Sequence, residues 1–344
     1  MRRIFLFIFT GWILIGSMPE IRGQENVFSH YFVTTSSVNP AHTGDTRFAQ
    51  LKLAERIMPT TANVLVTNTF LSYDQKLRNH RSGIGICIDQ QTAKFREQQA
   101  KISYSYTLLL FKRYWVKAGL GVSLNALNTY ASGYRFPDQY DRYGFTGDPT
   151  QETFENEKAL YPGLSAGFTV YNEFSWFSFG MDNMNQPGIE ILGEQYLVPM
   201  IINADWGLLV PLDKNKRPRR IFSPNGGLKP YSSIGPVVTF YKNGPFHQVS
   251  LGINAFTNPA FWGVSFRYHA LYDQYITGGA AALNFLAGYR VEFLSIAYSY
   301  DFIVNRTPTN YKGTHEVSVV YYLFSGREDY KKNRLVPFPN QLMY

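Results

Sequence analysis

Along most of this chain, apolar and polar side chains alternate with a period of two. The longest clean run is residues 115–126 (WVKAGLGVSLNA). Val116, Ala118, Leu120, Val122, Leu124 and Ala126 make one unbroken apolar face, and Lys117, Gly119, Gly121, Ser123 and Asn125 make the other. Successive side chains of a strand point to opposite sides, so this period predicts a strand lying between two different surroundings. Residues 83–89, 101–108, 247–255 and 261–270 repeat the pattern. In the last of these, Trp262, Val264, Phe266, Tyr268 and Ala270 oppose Gly263, Ser265, Arg267 and His269.

Residues 291–324 read as a β-hairpin. Its first arm sets Leu294, Ile296, Tyr298 and Tyr300 against Ser295, Ala297, Ser299 and Asp301. Its second arm sets Val317, Val319, Tyr321 and Leu323 against Glu316, Ser318, Val320 and Tyr322. Tyrosines on the apolar face suit a membrane interface as much as a dry core. Less regular alternation covers residues 47–58, 62–73, 160–171, 174–180, 198–210, 230–241 and 275–286, and helical periodicity appears nowhere over a useful length. The tally is about fourteen strands, an even number as in bacterial single-chain barrels. A lipid-facing wall around a lumen of small and polar residues has this pattern, whereas a soluble sandwich strand usually shows it over a shorter run. The predicted fold is all-β: a transmembrane antiparallel β-barrel whose last strand pairs back with the first, because a spanning sheet tolerates no open edge.

Composition sharpens this. Aromatic residues make up 17% of the 344 residues and charged residues only 17%, which departs from an ordinary soluble enzyme and suits a barrel with aromatic girdles. The mean hydropathy of −0.21 excludes a helical membrane bundle but not a barrel with a polar lumen. The start reads as a secretory leader over residues 1–23, with Arg2 and Arg3 before an apolar run from Ile4 to Ile15. The alternative, a membrane anchor helix, needs about 20 apolar residues, more than this run supplies. Arg2, Arg3 and Arg22 less Glu20 contribute +2 of the formal +8, leaving +6 on the remaining chain. No basic run is long enough to indicate nucleic-acid binding; the densest, residues 214–220, reads as a solvated turn. Cys87 is the only cysteine, which excludes a disulfide framework and a cysteine zinc site.

Four stretches break the alternation. Residues 24–45 have no clear period and end in a turn at Asn39-Pro40. Phe28, Tyr31, Phe32 and Val33 there need an apolar surface, so the segment either plugs the barrel or lies along its periplasmic rim. Residues 128–159, rich in Tyr, Asp, Glu, Gly and Pro, read as a long extracellular loop, with a hydrated loop preferred over a metal or catalytic site because no ligand spacing recurs. Residues 181–197 read as a second turn-rich connection, and residues 213–228 as a basic loop. The domain plan is a leader (1–23), an N-terminal segment (24–45), a barrel (46–324) and a periplasmic tail (325–344).

Signatures of chemistry are missing. The six histidines form no H-x-x-x-H or H-E-x-x-H pair, no G-x-S-x-G elbow holds a serine, and the paired glycines at Gly83/Gly85 and Gly119/Gly121 lack the third glycine of a nucleotide loop. His315-Glu316 fits polar residues entering the last strand better than an acid/base pair. We expect no catalytic residues, no cofactor and no metal.

Three stretches carry a resemblance. Asn39-Pro40-Ala41-His42-Thr43-Gly44 is similar to an N-P-A-x-x-G signature, residues 296–302 with Gly313-Thr314-His315-Glu316-Val317 resemble a closing Y-S-Y-D…G-x-H-E-[IV] pattern, and residues 261–268 resemble a W-x-G-x-x-x-R strand. Together they resemble the PorP/SprF family of type IX secretion system membrane proteins of Bacteroidota, over most of the mature chain and in order. The first strand departs from the family pattern, leaving the subtype open.

The resemblance implies a non-catalytic outer-membrane barrel of the secretion and gliding machinery. It would act as a scaffold or partner-binding subunit for secretion or anchoring of surface proteins. Its partners would be periplasmic ring, motor-linked or translocon components, an exported surface adhesin, or both, besides membrane lipid, and not nucleic acid. We expect partner contacts at Phe28, Tyr31, Phe32, Asn39, Pro40 and Gly44, and in the tail at Leu335 and Phe338; a disordered tail is the alternative. Tyr298, Tyr300, Asp301, His315 and Glu316 are expected to serve barrel closure. The rival readings are a porin for small solutes and a soluble β-sandwich.

Overall fold

The computed structural model describes residues 27–323, apart from residues 47, 60–64, 78–80, 94, 112–113, 130–138, 143, 149–156, 173, 192, 213–231, 258, 273–276, 292 and 305–312. Fourteen strands form one closed antiparallel barrel. They are β1 (Ala49–Pro59), β2 (Leu65–Lys76), β3 (Ser82–Thr92), β4 (Phe95–Phe111), β5 (Tyr114–Thr129), β6 (Lys158–Tyr171) and β7 (Ser175–Asp182), followed by β8 (Ile201–Leu208), β9 (Ser232–Asn243), β10 (Phe246–Thr257), β11 (Ala260–Tyr272), β12 (Thr277–Val291), β13 (Leu294–Ile303) and β14 (Thr314–Leu323). Each pairs with its neighbours in the chain. The seam pairs β1 with β14, from Ala49↔Leu323 to Ile57↔His315.

The alternation in the sequence becomes the two faces of this wall. On β5, Leu120, Val122 and Leu124 are exposed on the outside, while Lys117, Ser123 and Asn125 are buried facing the lumen. On β1, Leu51, Leu53 and Ile57 point out and Gln50, Lys52 and Arg56 point in. Closure leaves no unpaired edge, which is what lets a sheet cross lipid. Among the described residues no helix is long and apolar enough to cross a membrane.

Strand bounds shift from those read in the sequence. β4 runs well beyond residues 101–108 at both ends, because its outer turns carry glutamines and leucine runs that blur the alternation. Within the connection 183–200, Gly188–Ile191 and Glu194–Leu197 form a small hairpin, and Tyr140–Asp141 pairs with Gly144–Phe145 in the connection 130–157. The rim where the barrel starts and finishes carries four connections of two or three residues together with 77–81 and the long 209–231, and the opposite rim carries 130–157 and 183–200 besides shorter ones. The terminal rim is called the lower rim below, and the opposite one the upper rim.

One helix lies inside. Residues expected either to plug the barrel or to line its rim run down the lumen as α1 (Tyr31–Val38), then a 3-10 turn at Pro40–His42, before joining β1. This eight-residue helix was not foreseen. Its Thr34, Thr35, Ser36 and Ser37 are buried against a polar wall, so it has no apolar stripe for a periodicity argument to find.

Candidate functional site

The lumen contents divide into an outer clasp, a lower socket and an apolar floor. The outer clasp is built by strands that meet near the upper rim, opposite the one where the barrel starts and finishes. Arg56 of β1, Arg267 of β11, Asp301 of β13 and Glu316 of β14 are each no more than 2% exposed. Arg56 Nη2 lies 2.7 Å from Asp301 Oδ2, Arg56 Nη1 3.2 Å from Glu316 Oε2, and Arg267 Nη1 3.1 Å from Asp301 Oδ2. Two cations and two anions make the cluster neutral, as buried charges require.

The cluster grips the plug through Ser29 and His30. Glu316 accepts the backbone N–H of Ser29 at Oε2 and of His30 at Oε1, both at 2.7 Å. The Ser29 hydroxyl accepts from Arg56 at 2.8 Å and from Arg267 at 2.7 Å, and donates to Asp301 at 3.1 Å. His30 has no side-chain cap of its own for α1, so the wall supplies the anion at the helix start. At the other end, Lys101 of β4 donates to the Ser37 carbonyl and pairs with Asp182 of β7 at 2.6 Å. A wall carboxylate at the helix start and a wall ammonium at its end match both poles of the helix dipole.

The lower socket holds the Asn39–Gly44 turn. Asn39 Oδ1 accepts the Ala41 N–H at 2.9 Å and Asn39 Nδ2 donates to Ser178 Oγ at 2.7 Å. Pro40 and Ala41 press on Gly119 of β5, where an added Cβ would lie 2.4 Å from the Ala41 nitrogen. Lys117 donates to the Thr43 carbonyl at 2.6 Å and to Asp45 Oδ1 at 2.5 Å, and His42 Nδ1 lies 2.9 Å from Asp45 Oδ2. Gly44 takes φ +63°, left-handed backbone that favours glycine, and donates its N–H to Asp74, itself paired with Lys52 at 2.8 Å.

The apolar floor lies toward the lower rim: Trp115, Tyr171, Trp176, Leu209, Phe256 and Phe261, with Tyr31 and Phe32 of the plug packed on the same cluster. Phe28 packs higher, with Val33 and Phe70, at 6.3 Å edge-to-face from the Phe70 ring.

The residues singled out in the sequence therefore fall in three places. Phe28, Tyr31, Phe32, Asn39, Pro40 and Gly44 meet the chain's own wall inside the lumen. The closing-hairpin set splits across the wall. Asp301 and Glu316 point inward to the clasp, whereas Tyr298, Tyr300 and His315 lie on the outer side, with Tyr298 Oη 2.8 Å from His315 Nδ1 and the Tyr300 and His315 rings 5.0 Å apart. Leu335 and Phe338 lie outside the described residues, as does the leader. The cations that hold the plug, Arg56 in the clasp, Lys101 at the end of α1 and Lys117 in the socket, were not singled out as a group. Their signal was a cation on the small or polar face of an alternating strand. Among the described residues no group of three or more His, Cys, Asp or Glu is placed to hold a metal ion.

The family model described as type IX secretion system membrane protein PorP/SprF matches residues 21–321. The chain belongs to this family. The N-P-A-x-x-G turn of this PorP/SprF barrel is the lower socket, and its G-x-H-E closing motif delivers Glu316 to the clasp. The protein is an outer-membrane barrel of the type IX secretion system, in a family of secretion membrane barrels rather than of enzymes, and membership implies interaction with components of that system. No curated protein matches the chain. Among solved structures it is similar to a Pseudomonas aeruginosa FadL homologue (13% identity, 83% of this chain and 93% of that one, TM-score 0.44). It is also similar to a TodX mutant described as a monoaromatic hydrocarbon channel (10% identity, 90% and 97%, TM-score 0.40) and to the KdgM porin (8% identity, 80% and 99%, TM-score 0.35). Likeness at these levels says nothing about function.

Proposed function

We propose that this PorP/SprF barrel is a non-catalytic scaffold that binds other secretion or gliding components and serves the export or anchoring of surface proteins. The observation that supports it is the occupied lumen. A solute channel needs an open polar path, but here α1 and the turn after it are held by wall charges at both ends and rest on an aromatic floor. With the plug residues committed to the chain's own wall, we assign the periplasmic partner contact to the tail, residues 325–344, with Leu335 and Phe338 as anchors. The porin reading draws on one observation, a cavity of about 180 Å³ on the outer side of the plug.

Mild-detergent pull-down from native envelopes, with mass spectrometry, tests the scaffold role. The full chain should recover secretion-system or surface-adhesin proteins, and a chain lacking residues 325–344 should insert normally but recover them poorly. Equal recovery from both chains would remove the tail from the proposal. Absence of partners from the full chain, together with large stable channels in planar bilayers, would replace the scaffold with a porin.

A further inference from the structure

The outer wall carries one carboxylate, and it stands in the middle of a strand. The other outer-facing ionisable side chains of the strands stand at strand ends: Arg96 is the second residue of β4, Lys158 the first of β6, Lys242 the last but one of β9, His247 the second of β10 and His315 the second of β14. Glu55 is the seventh of the eleven residues of β1, and among the described residues it is the only Asp or Glu on the outer face of the fourteen strands. Leu53 and Ile57 flank it on the same face, 44% and 37% exposed, and Val317 stands opposite, 45% exposed. Four residues, about 13 Å of strand, separate it from the upper end of β1. Among the described residues no ion pair or hydrogen bond engages its carboxylate. A carboxylate on a lipid-facing wall is costly unless another group meets it, so an ionisable residue there marks a contact.

Its complement stands on the next strand. His315 of β14 is exposed on the same outer face, with Nδ1 2.8 Å from Tyr298 Oη. With the Tyr298 hydroxyl donating to Nδ1, Nε2 carries the ring hydrogen and is left to donate. Following the ladder from Glu55 through Val317, Tyr298 and Ala287 leads to Trp262, the third residue of β11 beside the lower rim, so the ladder descends in that direction. His315, two residues above Val317, therefore lies close to the height of Glu55. Within one chain the two do not pair, because Ile57 and not Glu55 stands opposite His315. An acceptor and a donor side by side at one height make a self-complementary patch. A two-fold axis along the membrane normal, passing between β1 and β14, sets each Glu55 against His315 of the other copy. Apolar area alone does not drive association in lipid, whose tails are as apolar as leucine; polar contacts do.

We propose that the outer wall over the seam is an interface for a second copy of this chain within the membrane, held by two symmetric contacts between Glu55 of one copy and His315 of the other. Tyr298 positions the imidazole, and the exposed Leu53, Ile57 and Val317 pack around each contact. The interface goes beyond the scaffold reading: a single barrel can bind secretion components, and a pair of barrels can bind none.

Full chains carrying different dyes, reconstituted together into liposomes at a fixed protein-to-lipid ratio, test this by energy transfer between copies. The unsubstituted chain should show transfer that an excess of undyed chain competes away. Glu55→Gln and His315→Asn should each weaken dimerisation by about tenfold or more, since by symmetry each removes both charge-assisted contacts. Glu55→His combined with His315→Glu exchanges the two groups and should restore transfer, whereas Glu55→His alone should not. Glu55→Gln takes a charge off the lipid-facing wall, so it should keep the compact migration of a folded barrel on SDS gels. Should the exchanged variant fail to insert, cysteine pairing carries the test. Differently tagged copies bearing Glu55→Cys and His315→Cys should form a disulfide between them in native membranes, and copies bearing Leu120→Cys should not. Transfer no greater than that of randomly mixed single barrels, unchanged dimerisation in Glu55→Gln or His315→Asn, or an inserted exchanged variant that restores nothing overturns the proposal.

Discussion

Arg56 and Glu316 are register partners across the barrel seam, and their side chains meet inside the lumen at 3.2 Å. The first and last strands are thus joined by an ion pair in addition to their backbone ladder. The same two side chains hold Ser29 and His30, through the Ser29 hydroxyl and both backbone N–H groups. One pair therefore contributes both to barrel closure and to plug retention. Asp301 and Arg267 complete the cluster from β13 and β11, so four strands near the seam contribute to it.

Glu316→Ala should destabilise the barrel strongly. It leaves Arg56 with only Asp301 as ion-pair partner, and removes the acceptor from two plug N–H groups. Removing one member of a buried charge cluster costs roughly 3–5 kcal/mol, whereas replacing a pair with apolar residues of similar volume is often neutral. Arg56→Met combined with Glu316→Leu should therefore be more stable than Glu316→Ala alone. The readout is the temperature at which the protein loses compact migration on SDS gels. A double variant no more heat-resistant than the single would show that the pair is not what holds the seam.

The wall of this protein was legible in its sequence, and the interior was much less so. A period of two needs only local information, and Val116 to Ala126 states it without interruption. The clasp needs Arg56, Arg267, Asp301 and Glu316 to meet across as many as 260 residues of separation, and nothing local records that. Gly119 read correctly as part of the small, polar face that lines the lumen, and Gly83 faces the same way. That they make room for the Thr43–Gly44 and Pro40–Ala41 backbone became visible only once the plug was in place. The closing motif taken as one group is two, because alternate residues of a strand serve opposite faces.

Gly119 gives the sharpest steric test of the socket. A Cβ there would sit 2.4 Å from the Ala41 nitrogen and 2.4 Å from the Pro40 carbonyl carbon, so even alanine forces the turn to move. Gly119→Val should cost about 1–3 kcal/mol, the usual penalty for overpacking a filled site. It should also expose the N-terminal segment to added protease in intact outer-membrane vesicles. Leu120→Ala, one residue away on the outside, should leave the plug protected. Equal protection in Gly119→Val would mean that the turn does not rest on β5.

Deleting residues 27–45 should convert the barrel into a channel. The deletion removes α1, the socket turn and Asp45, leaving Lys101, Lys117, Arg56 and Arg267 lining an emptied lumen. Single-channel recordings in planar bilayers should give little or no conductance for the full chain and large, stable steps for the deletion. Closely similar conductance from the two would mean that the plug does not block the lumen, and the scaffold reading would lose its main support.

The outer wall yields a test by depth. Val122 lies near the middle of β5 and is 60% exposed, whereas Leu160, 68% exposed, is the third residue of β6, close to the upper rim. If lipid covers this face, a charge at the bilayer midplane is costly and one at the interface is not. Val122→Arg should lose roughly 2–4 kcal/mol and Leu160→Arg about 0–1 kcal/mol. Urea titrations of folding into liposomes read the difference directly. A water-exposed sandwich surface predicts small and equal effects at both positions, because in that setting arginine meets solvent whatever its height on the strand. A gradient of several kcal/mol between two side chains of similar exposure can come only from a medium whose polarity changes with depth, so the pair of substitutions measures the membrane rather than the protein.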